Sequence, residues 1–131
     1  MAENNSNTFV IDSSFLLAYL LPDENSEDVQ RFFDRFKIEK IKLIAPCILP
    51  FEVFNGLQTA VLRKRVELEL AEKLGQRFLL IPITLTDLDF AKTLLMADKH
   101  KLTFYDATYM WLAQQEKILL LSLDKKLQNL A

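Results

Sequence analysis

The sequence has little of what disulfides, zinc sites and nucleophilic triads require. It contains one cysteine, Cys47, and one histidine, His100, in 131 residues. A lone cysteine excludes an internal disulfide and fits a reducing compartment, so we expect a cytoplasmic protein. One histidine and one cysteine also leave no basis for a zinc cluster, a Ser–His–Asp triad or a Cys–His pair.

The sequence also has no excess of positive charge, and we expect neither a signal peptide nor a membrane-spanning segment. Its formal net charge is −2, so any contact with phosphates has to be local or mediated by a metal. Residues 1–7 are polar and lack the basic flank and apolar stretch of a signal peptide, and no apolar run is long enough to cross a bilayer. We therefore expect a disordered or flexible segment at residues 1–7 and no membrane partner.

The residues that are present are those of one folded domain. Half of the chain is hydrophobic, with ten Phe and only two Gly, and no stretch rich in Pro, Gly or Ser separates one part from another. A chain of this length can bury a substantial core. We expect residues 8–131 to form a single domain.

Strand and helix patterns alternate along the chain. Apolar runs bounded by polar residues predict strands at residues 8–12, 42–45, 79–83 and 118–123. Helical patterns are predicted at residues 13–21, 50–62, 66–78 and 103–115, and a short one at the end of the chain. Two further helices are predicted to begin at capping patterns, one at Asn25 and Asp28 and one at Thr86 and Asp89. The second of these is expected to bury Phe90, Leu94 and Leu95. This alternation predicts an α/β protein, a parallel sheet with helices on both faces.

Four acidic residues interrupt stretches that otherwise resemble buried core: Asp12, Glu52, Asp106 and Asp124. A lone buried carboxylate is costly, so such groups are protonated, paired or bound to a metal. Two of them follow predicted strands and two lie in the first turns of helices, which places all four near the carboxyl edge of the sheet, where ligands bind in open α/β folds. The sequence therefore predicts a site of hard oxygen ligands for Mg²⁺ or Mn²⁺, able to hydrolyse a phosphodiester.

Around each acid the sequence resembles the PIN-domain ribonucleases. The segments are VIDSSFLL at residues 10–17, PFEVFNGL at 50–57, LTFYDATY at 102–109 and LLSLDKKL at 120–127. Each motif alone is weak, but four in order over residues 8–127 are a fairly specific signal. The resemblance implies a three-layer α/β/α sandwich with a central parallel sheet of four or five strands.

The resemblance also implies function. It suggests an Mg²⁺- or Mn²⁺-dependent endoribonuclease with Asp12, Glu52, Asp106 and Asp124 as catalytic and metal-binding acids. It also suggests a VapC-like toxin of a toxin–antitoxin pair, with RNA as substrate, an antitoxin as partner and a homodimer as assembly. Ser14 and Ser122 are auxiliary polar candidates beside the acids. The chain ends soon after Asp124, where the family commonly adds a fifth strand, which leaves the dimer and antitoxin contacts open.

Alternative interpretations stay open at this point. Asp12, Asp106 and Asp124 could each cap a helix, and the Ser14 hydroxyl could cap a backbone amide as well as orient a carboxylate. The basic residues Arg63, Lys64, Arg65 and Lys125 are candidates for RNA phosphate contacts, although such clusters are more often solvated surface. Two other functions remain: a non-enzymatic PIN-like module that binds RNA or protein, and a phospho-acceptor domain, which the absence of a second adjacent acid disfavours.

Overall fold

The computed structural model describes residues 7–38 and 40–130. Of the segment predicted to be flexible, residues 1–7, only Asn7 is among the described residues, and it is exposed. Within the described ranges, no helix is long and apolar enough to cross a membrane.

A parallel sheet forms the centre of the molecule. Its strands are β1 (Thr8–Ile11), β2 (Lys42–Pro46), β3 (Ile83–Thr86) and β4 (Leu119–Leu121). In the described part of the chain the sheet has four strands in the order β3-β2-β1-β4. Every neighbouring pair is parallel, so all carboxyl ends lie at one edge.

Helices cover both faces of this sheet. They are α1 (Ser13–Leu20), α2 (Glu27–Ile38), α3 (Leu49–Leu62), α4 (Leu68–Leu79), α5 (Phe90–His100), α6 (Phe104–Glu116) and α7 (Lys125–Leu130). Helices α1 to α4 pack on one another, whereas α6 packs on β1, β2 and β4 and carries α5 and α7 beside it. The predicted three-layer α/β/α fold is confirmed.

Strand β1 lies in the interior of the sheet and ends in two fully buried residues. Val10 and Ile11 have no exposed surface, and β1 has neighbours on both sides, Val10 lying opposite Ile44 and Leu120. The residue after this strand is therefore delivered to the middle of the carboxyl edge, at the boundary between core and solvent.

The third strand was wrongly placed at residues 79–83. Helix α4 continues through Leu79, and the strand begins only at Ile83. Leu79 and Leu80 are 64% and 83% exposed, so the apolar run around them is not a core strand. An apolar run of this length does not distinguish a strand from the last turn of a helix, and the helix is the outcome here.

The burial of helix α5 also differs from the prediction. Phe90, Leu94 and Leu95 are 69%, 59% and 71% exposed, whereas Thr93 and Ala97 are buried. Helix α5 packs on α6 through these smaller residues, which allow close approach, and its large apolar side chains point outward. Its N-cap is Asp89, whose carboxylate accepts the backbone N–H of Lys92, and Thr86 belongs to β3 instead.

Candidate active site

The four acids occupy the positions that the fold gives to the carboxyl edge of the sheet. Asp12 follows β1 directly, and its N–H donates to the carbonyl of Leu121 at the end of the neighbouring strand β4, at 3.1 Å. Asp124 lies three residues beyond that strand, immediately before α7. Glu52 and Asp106 lie in the first turns of α3 and α6.

Asp12 is the most buried of the four, with 4% of its surface exposed. It is the N-cap of α1, and its Oδ1 accepts the backbone N–H of Phe15 at 3.1 Å and the hydroxyl of Ser14 at 2.7 Å. Burial raises the pKa of Asp12, hydrogen bonds from Ser122, Ser14 and Phe15 oppose this rise, and the charge of Asp106 adds to it. This carboxylate is fixed in position by neutral donors.

Ser14 and Ser122 connect the first acid to the loop that carries the last one. The Ser14 hydroxyl accepts the N–H of Leu123 at 3.0 Å and lies 3.5 Å from the hydroxyl of Ser122. Ser122, which is 4% exposed, accepts the N–H of Asp124 at 3.0 Å. The two hydroxyls therefore join the ends of β1 and β4 beside the acids.

Glu52 is half-buried and is held by a tyrosine from the opposite helical layer. The hydroxyl of Tyr109 on α6 donates to Glu52 Oε1 at 2.6 Å. Burial raises the pKa of Glu52, the hydrogen bonds from Tyr109 and Ser13 lower it, and the charges of Asp106 and Asp12 raise it. Burial and the neighbouring Glu52 in turn raise the pKa of the Tyr109 hydroxyl, which therefore stays a protonated donor.

Asp106 and Asp124 are more open to solvent. The N–H of Asp106 donates to the hydroxyl of Thr103, the N-cap of α6, at 3.1 Å. Burial and the charge of Asp124 raise the pKa of Asp106, while Thr103 and Lys126 lower it. Asp124 is exposed, and its Oδ1 accepts the N–H groups of Lys126 and Leu127 at 2.9 and 3.2 Å.

Electrostatic coupling links the four acids pair by pair. The charge of Asp106 raises the pKa values of Asp12 and Glu52, the charge of Asp12 raises the pKa of Glu52, and the charge of Asp124 raises the pKa of Asp106. Like charges raise the pKa of their neighbours only at short range, so the carboxylates share one negative region. The ion pairs of the described residues lie elsewhere, and Lys126 is the cation that opposes this charge, through Asp106.

This donor set fits a hard divalent cation. Among residues 7–38 and 40–130, no three His, Cys, Asp or Glu side chains are already grouped as metal ligands. A complete protein cage is not what Mg²⁺ needs, because it keeps several waters and binds through one or two carboxylates. The carboxylates of Asp12 and Glu52 are held by neutral hydroxyls, and burial together with the neighbouring charges raises their pKa values, which is the chemistry that such an ion would stabilise.

A cleft of about 430 Å³ opens beside the acids. Glu52 and Ser13 line it together with Phe51, Asn55 and Tyr105. Its walls come from the starts of α1, α3 and α6, so it opens at the carboxyl edge of the sheet. An extended polymer could enter this cleft and present a backbone group to the carboxylates.

The predicted phosphate contacts are not gathered at this cleft. Arg63, Lys64 and Arg65 follow the last residue of α3, and the rise of a helix puts them about 16 Å from Glu52 along its axis. The guanidinium of Arg65 binds Asp23 at 2.9 Å and Glu24 at 2.6 Å. Lys125 is exposed at the start of α7.

Sequence reasoning did not assign Tyr109 a role at the site. This residue lies one helical turn after Asp106 and so shares a face of α6 with it, and the i, i+3 spacing was a usable signal. Lys126 adjoins the predicted phosphate contact Lys125. Its ammonium donates to the carbonyl of Lys101, and its charge lowers the pKa of Asp106.

Comparisons with known proteins agree with this fold. A family model described as PIN domain matches residues 9–131. The comparison with curated proteins gave no match.

Two solved structures share the fold at low sequence identity. PAE2754 from Pyrobaculum aerophilum superposes with a TM-score of 0.77 at 20% identity, over 96% of this chain and 81% of that one. VapC20 of Mycobacterium tuberculosis, described as a toxin that cleaves the sarcin-ricin loop, superposes with a TM-score of 0.63 at 14% identity, over 92% of this chain and 93% of that one. At these identities the likeness concerns the fold alone.

Proposed function

This chain belongs to the PIN-domain family, and from that premise we propose that it is an Mg²⁺- or Mn²⁺-dependent endoribonuclease. The observation that carries the proposal is a pair of carboxylates at the carboxyl edge of the sheet, Asp12 and Glu52, which are held by neutral hydroxyls at 2.7 and 2.6 Å. Glu52 lines the cleft, and the charge of Asp106 acts on both carboxylates. PIN domains are generally nucleases, which supports the coarser assignment. The metal and the RNA substrate are the parts that we infer.

The four acids would form the metal site, with Asp12 and Glu52 as the fixed ligands of the cation and Asp106 and Asp124 adding negative charge beside them. When bound, the ion supplies Lewis-acid activation of the phosphodiester and of water. Ser14 and Ser122 orient the carboxylate of Asp12, and Tyr109 orients that of Glu52. The buried wall behind these carboxylates excludes bulk water and strengthens their interaction with a cation.

We also propose that the protein is the toxin of a toxin–antitoxin pair, with a cognate antitoxin and a homodimer as its assemblies. The support is the VapC20 fold, which matches nearly the whole of both chains. A cytoplasmic location is part of the same proposal and is supported by the free thiol of Cys47.

Cleavage of single-stranded RNA by matched variants tests the function. We expect the wild-type protein to cut RNA with Mg²⁺ or Mn²⁺ and not with EDTA, and Asp106→Asn to lower the rate by at least about 100-fold, since a metal supplies several kcal/mol to such reactions. Asp98→Asn, on the exposed surface of α5, is the control and should retain the wild-type rate.

Two outcomes would contradict the proposal. Equal cleavage by wild type and Asp106→Asn would mean that the acids are not the active site. Tight RNA binding without turnover in either metal would point to the non-enzymatic module instead. Growth arrest on expression of the wild type, and not of Asp106→Asn, is the expected result for a toxin.

A further inference from the structure

A second pocket adjoins the acidic cleft, and no part of the proposed chemistry uses it. It has a volume of about 300 Å³ and is lined almost entirely by apolar atoms. We call it the aromatic pocket, and its aromatic walls are Phe51, Phe90, Phe104 and Tyr105. Phe51, Phe90 and Tyr105 are 73%, 69% and 56% exposed, which is costly for side chains of this size unless something covers them.

The aromatic pocket is continuous with the acidic cleft. Ile48, Phe51 and Tyr105 line both spaces. Phe51 directly precedes Glu52, and Tyr105 directly precedes Asp106. A molecule bound by the acids through one group would therefore place its adjacent group at the mouth of this pocket.

The charged group that lines the pocket is a carboxylate, which accepts the thiol of Cys47. Asp87 lines it, and the thiol of Cys47 lies 3.5 Å from Asp87 Oδ1 and 3.4 Å from the carbonyl of Thr86. Among the described residues, no Lys or Arg forms an ion pair with Asp87. An ionised carboxylate only accepts hydrogen bonds, so its complement is a flat apolar group that carries N–H donors on its edge.

We propose that the aromatic pocket binds a nucleobase of the RNA substrate, next to the phosphate held at the acids, and that Asp87 selects guanine. The proposal rests on the proposed ribonuclease function. Proteins bind unpaired RNA bases by stacking them on aromatic side chains and by hydrogen bonds to their Watson–Crick edges. Guanine presents two neighbouring donors on that edge, N1–H and the N2 amino group, which match the two oxygens of a carboxylate.

Binding to short RNAs separates the contributions of the aromatic walls and of Asp87. The protein carries Asp106→Asn so that RNA stays intact, and the ligands are labelled oligouridines with one central guanosine, inosine or abasic site. Phe51→Leu should weaken binding of the guanosine RNA by roughly ten-fold, as expected for one base–aromatic stack, and should leave the abasic RNA unchanged. Phe54→Leu is the matched control, because Phe54 lies about one turn further along α3 and lines neither pocket.

Asp87→Asn tests the choice of base. Inosine lacks the N2 amino group, so we expect it to bind several-fold more weakly than guanosine to the parent protein and equally well to Asp87→Asn. Asp98→Asn should keep the discrimination of the parent. Equal affinity of the parent for the guanosine, inosine and abasic RNAs would overturn the proposal.

Mapping of cut sites with the otherwise wild-type chain gives an independent readout. Cleavage should fall at a constant distance from a guanosine, and in Asp87→Asn the cut sites should spread to other bases.

If wild type cuts no RNA, the proposed function fails, while the binding measurements still test whether the aromatic pocket binds a base. If wild type cuts RNA and both pocket variants keep its sites and affinities, only the pocket proposal fails. A shift of Phe51→Leu from dimer to monomer with unchanged RNA affinity would assign the surface to a second copy of the chain and also overturn it.

Discussion

The two halves of the acid cluster carry the same charge but are held in different ways. Asp12 and Glu52 are more enclosed, and the hydroxyls of Ser14 and Tyr109 donate to them at 2.7 and 2.6 Å. Asp106 and Asp124 lie nearer to solvent at the starts of helices, and Asp124 accepts the backbone N–H groups of α7. The enclosed carboxylates therefore receive side-chain hydroxyl donors, in addition to the backbone N–H of Phe15 on Asp12, whereas Asp124 is held by backbone N–H groups.

What this difference teaches is that a charged site can be fixed without being neutralised. Hydroxyl and amide donors orient a carboxylate and leave it its full negative charge, whereas an Arg or Lys partner would cancel that charge. The acids of the enclosed half have no ammonium or guanidinium among the groups that perturb their pKa values, while Lys126 acts on Asp106 in the open half. We expect the enclosed half to dominate metal affinity.

Neutralising the enclosed half should have the largest effect. Asp12→Asn keeps an oxygen that can accept the N–H of Phe15 but removes the buried charge. We expect cleavage to fall by at least about 100-fold, because the metal loses its most fixed ligand. Thermal unfolding of the metal-free proteins between pH 4 and pH 8 measures the same charge independently of activity.

The direction of the pH effect follows from the raised pKa values of Asp12, Glu52 and Asp106. The folded protein binds these protons more tightly than the unfolded chain does. Their contribution to stability is therefore present below the unfolded pKa, about 4, and is lost as the pH rises through the folded values. We expect the metal-free wild type to lose stability over this range, Asp12→Asn to lose less, and Mg²⁺ to restore only the wild type. Parallel curves for the two proteins would contradict this.

Removing one hydroxyl from the enclosed half should have an intermediate effect. Tyr109→Phe leaves the packing of the ring and deletes the donor to Glu52, so we expect about a ten-fold loss in metal affinity or rate, as for other partners of metal ligands. Because that hydrogen bond lowers the pKa of Glu52, its loss should also move the acid limb of the pH–rate profile to higher pH.

A buried tyrosine elsewhere supplies the control for that variant. Tyr19 is 8% exposed and stacks on Phe33 in the core. Tyr19→Phe should leave both the rate and the acid limb unchanged. If the acid limb of the pH–rate profile were unshifted in Tyr109→Phe, Tyr109 would contribute only packing to the site.

Changes in the open half should have the smallest effect and should separate charge from capping. Asp124→Asn keeps the cap of α7 and should lower the rate by about three-fold, because solvent screens an exposed charge. Asp124→Ala removes the cap as well and should cost about 1 kcal/mol in the free energy of unfolding, measured by urea denaturation. If Asp124→Asn were as inactive as Asp12→Asn, the two halves would not differ as proposed.

The order of the elements and their parallel arrangement could be predicted from the sequence because buried parallel strands are short continuous apolar runs. The same rule misplaced β3, since the run at residues 79–83 starts in the last residue of α4 and its Leu80 is 83% exposed. The helical pattern likewise predicted that Phe90 of α5 is buried, whereas Thr93 is the residue that faces α6. The large apolar side chains suggested which face of α5 is buried, but α5 packs closely on α6 through its small residues instead.

The position of Asp12 beside the end of β4 was predictable for a physical reason as well. Parallel strands end at one edge, so residues after β1 and β4 meet there whatever the rest of the chain does. The donors that hold the acids were harder to foresee, because Tyr109 reaches Glu52 from 57 positions away. Such a partner depends on how two helical layers face each other across a sheet, which one sequence alone does not specify.

The bond between Ser14 and Leu123 also governs when the site can form during synthesis. It joins positions 109 residues apart, and β1 lies beside β4, the last strand of the sheet. A nascent chain released only as far as α6 has Asp12 but lacks β4, Ser122 and Asp124. The ribosome that makes this protein therefore faces a complete acidic centre only after β4 and the residues up to Asp124 have left its exit tunnel.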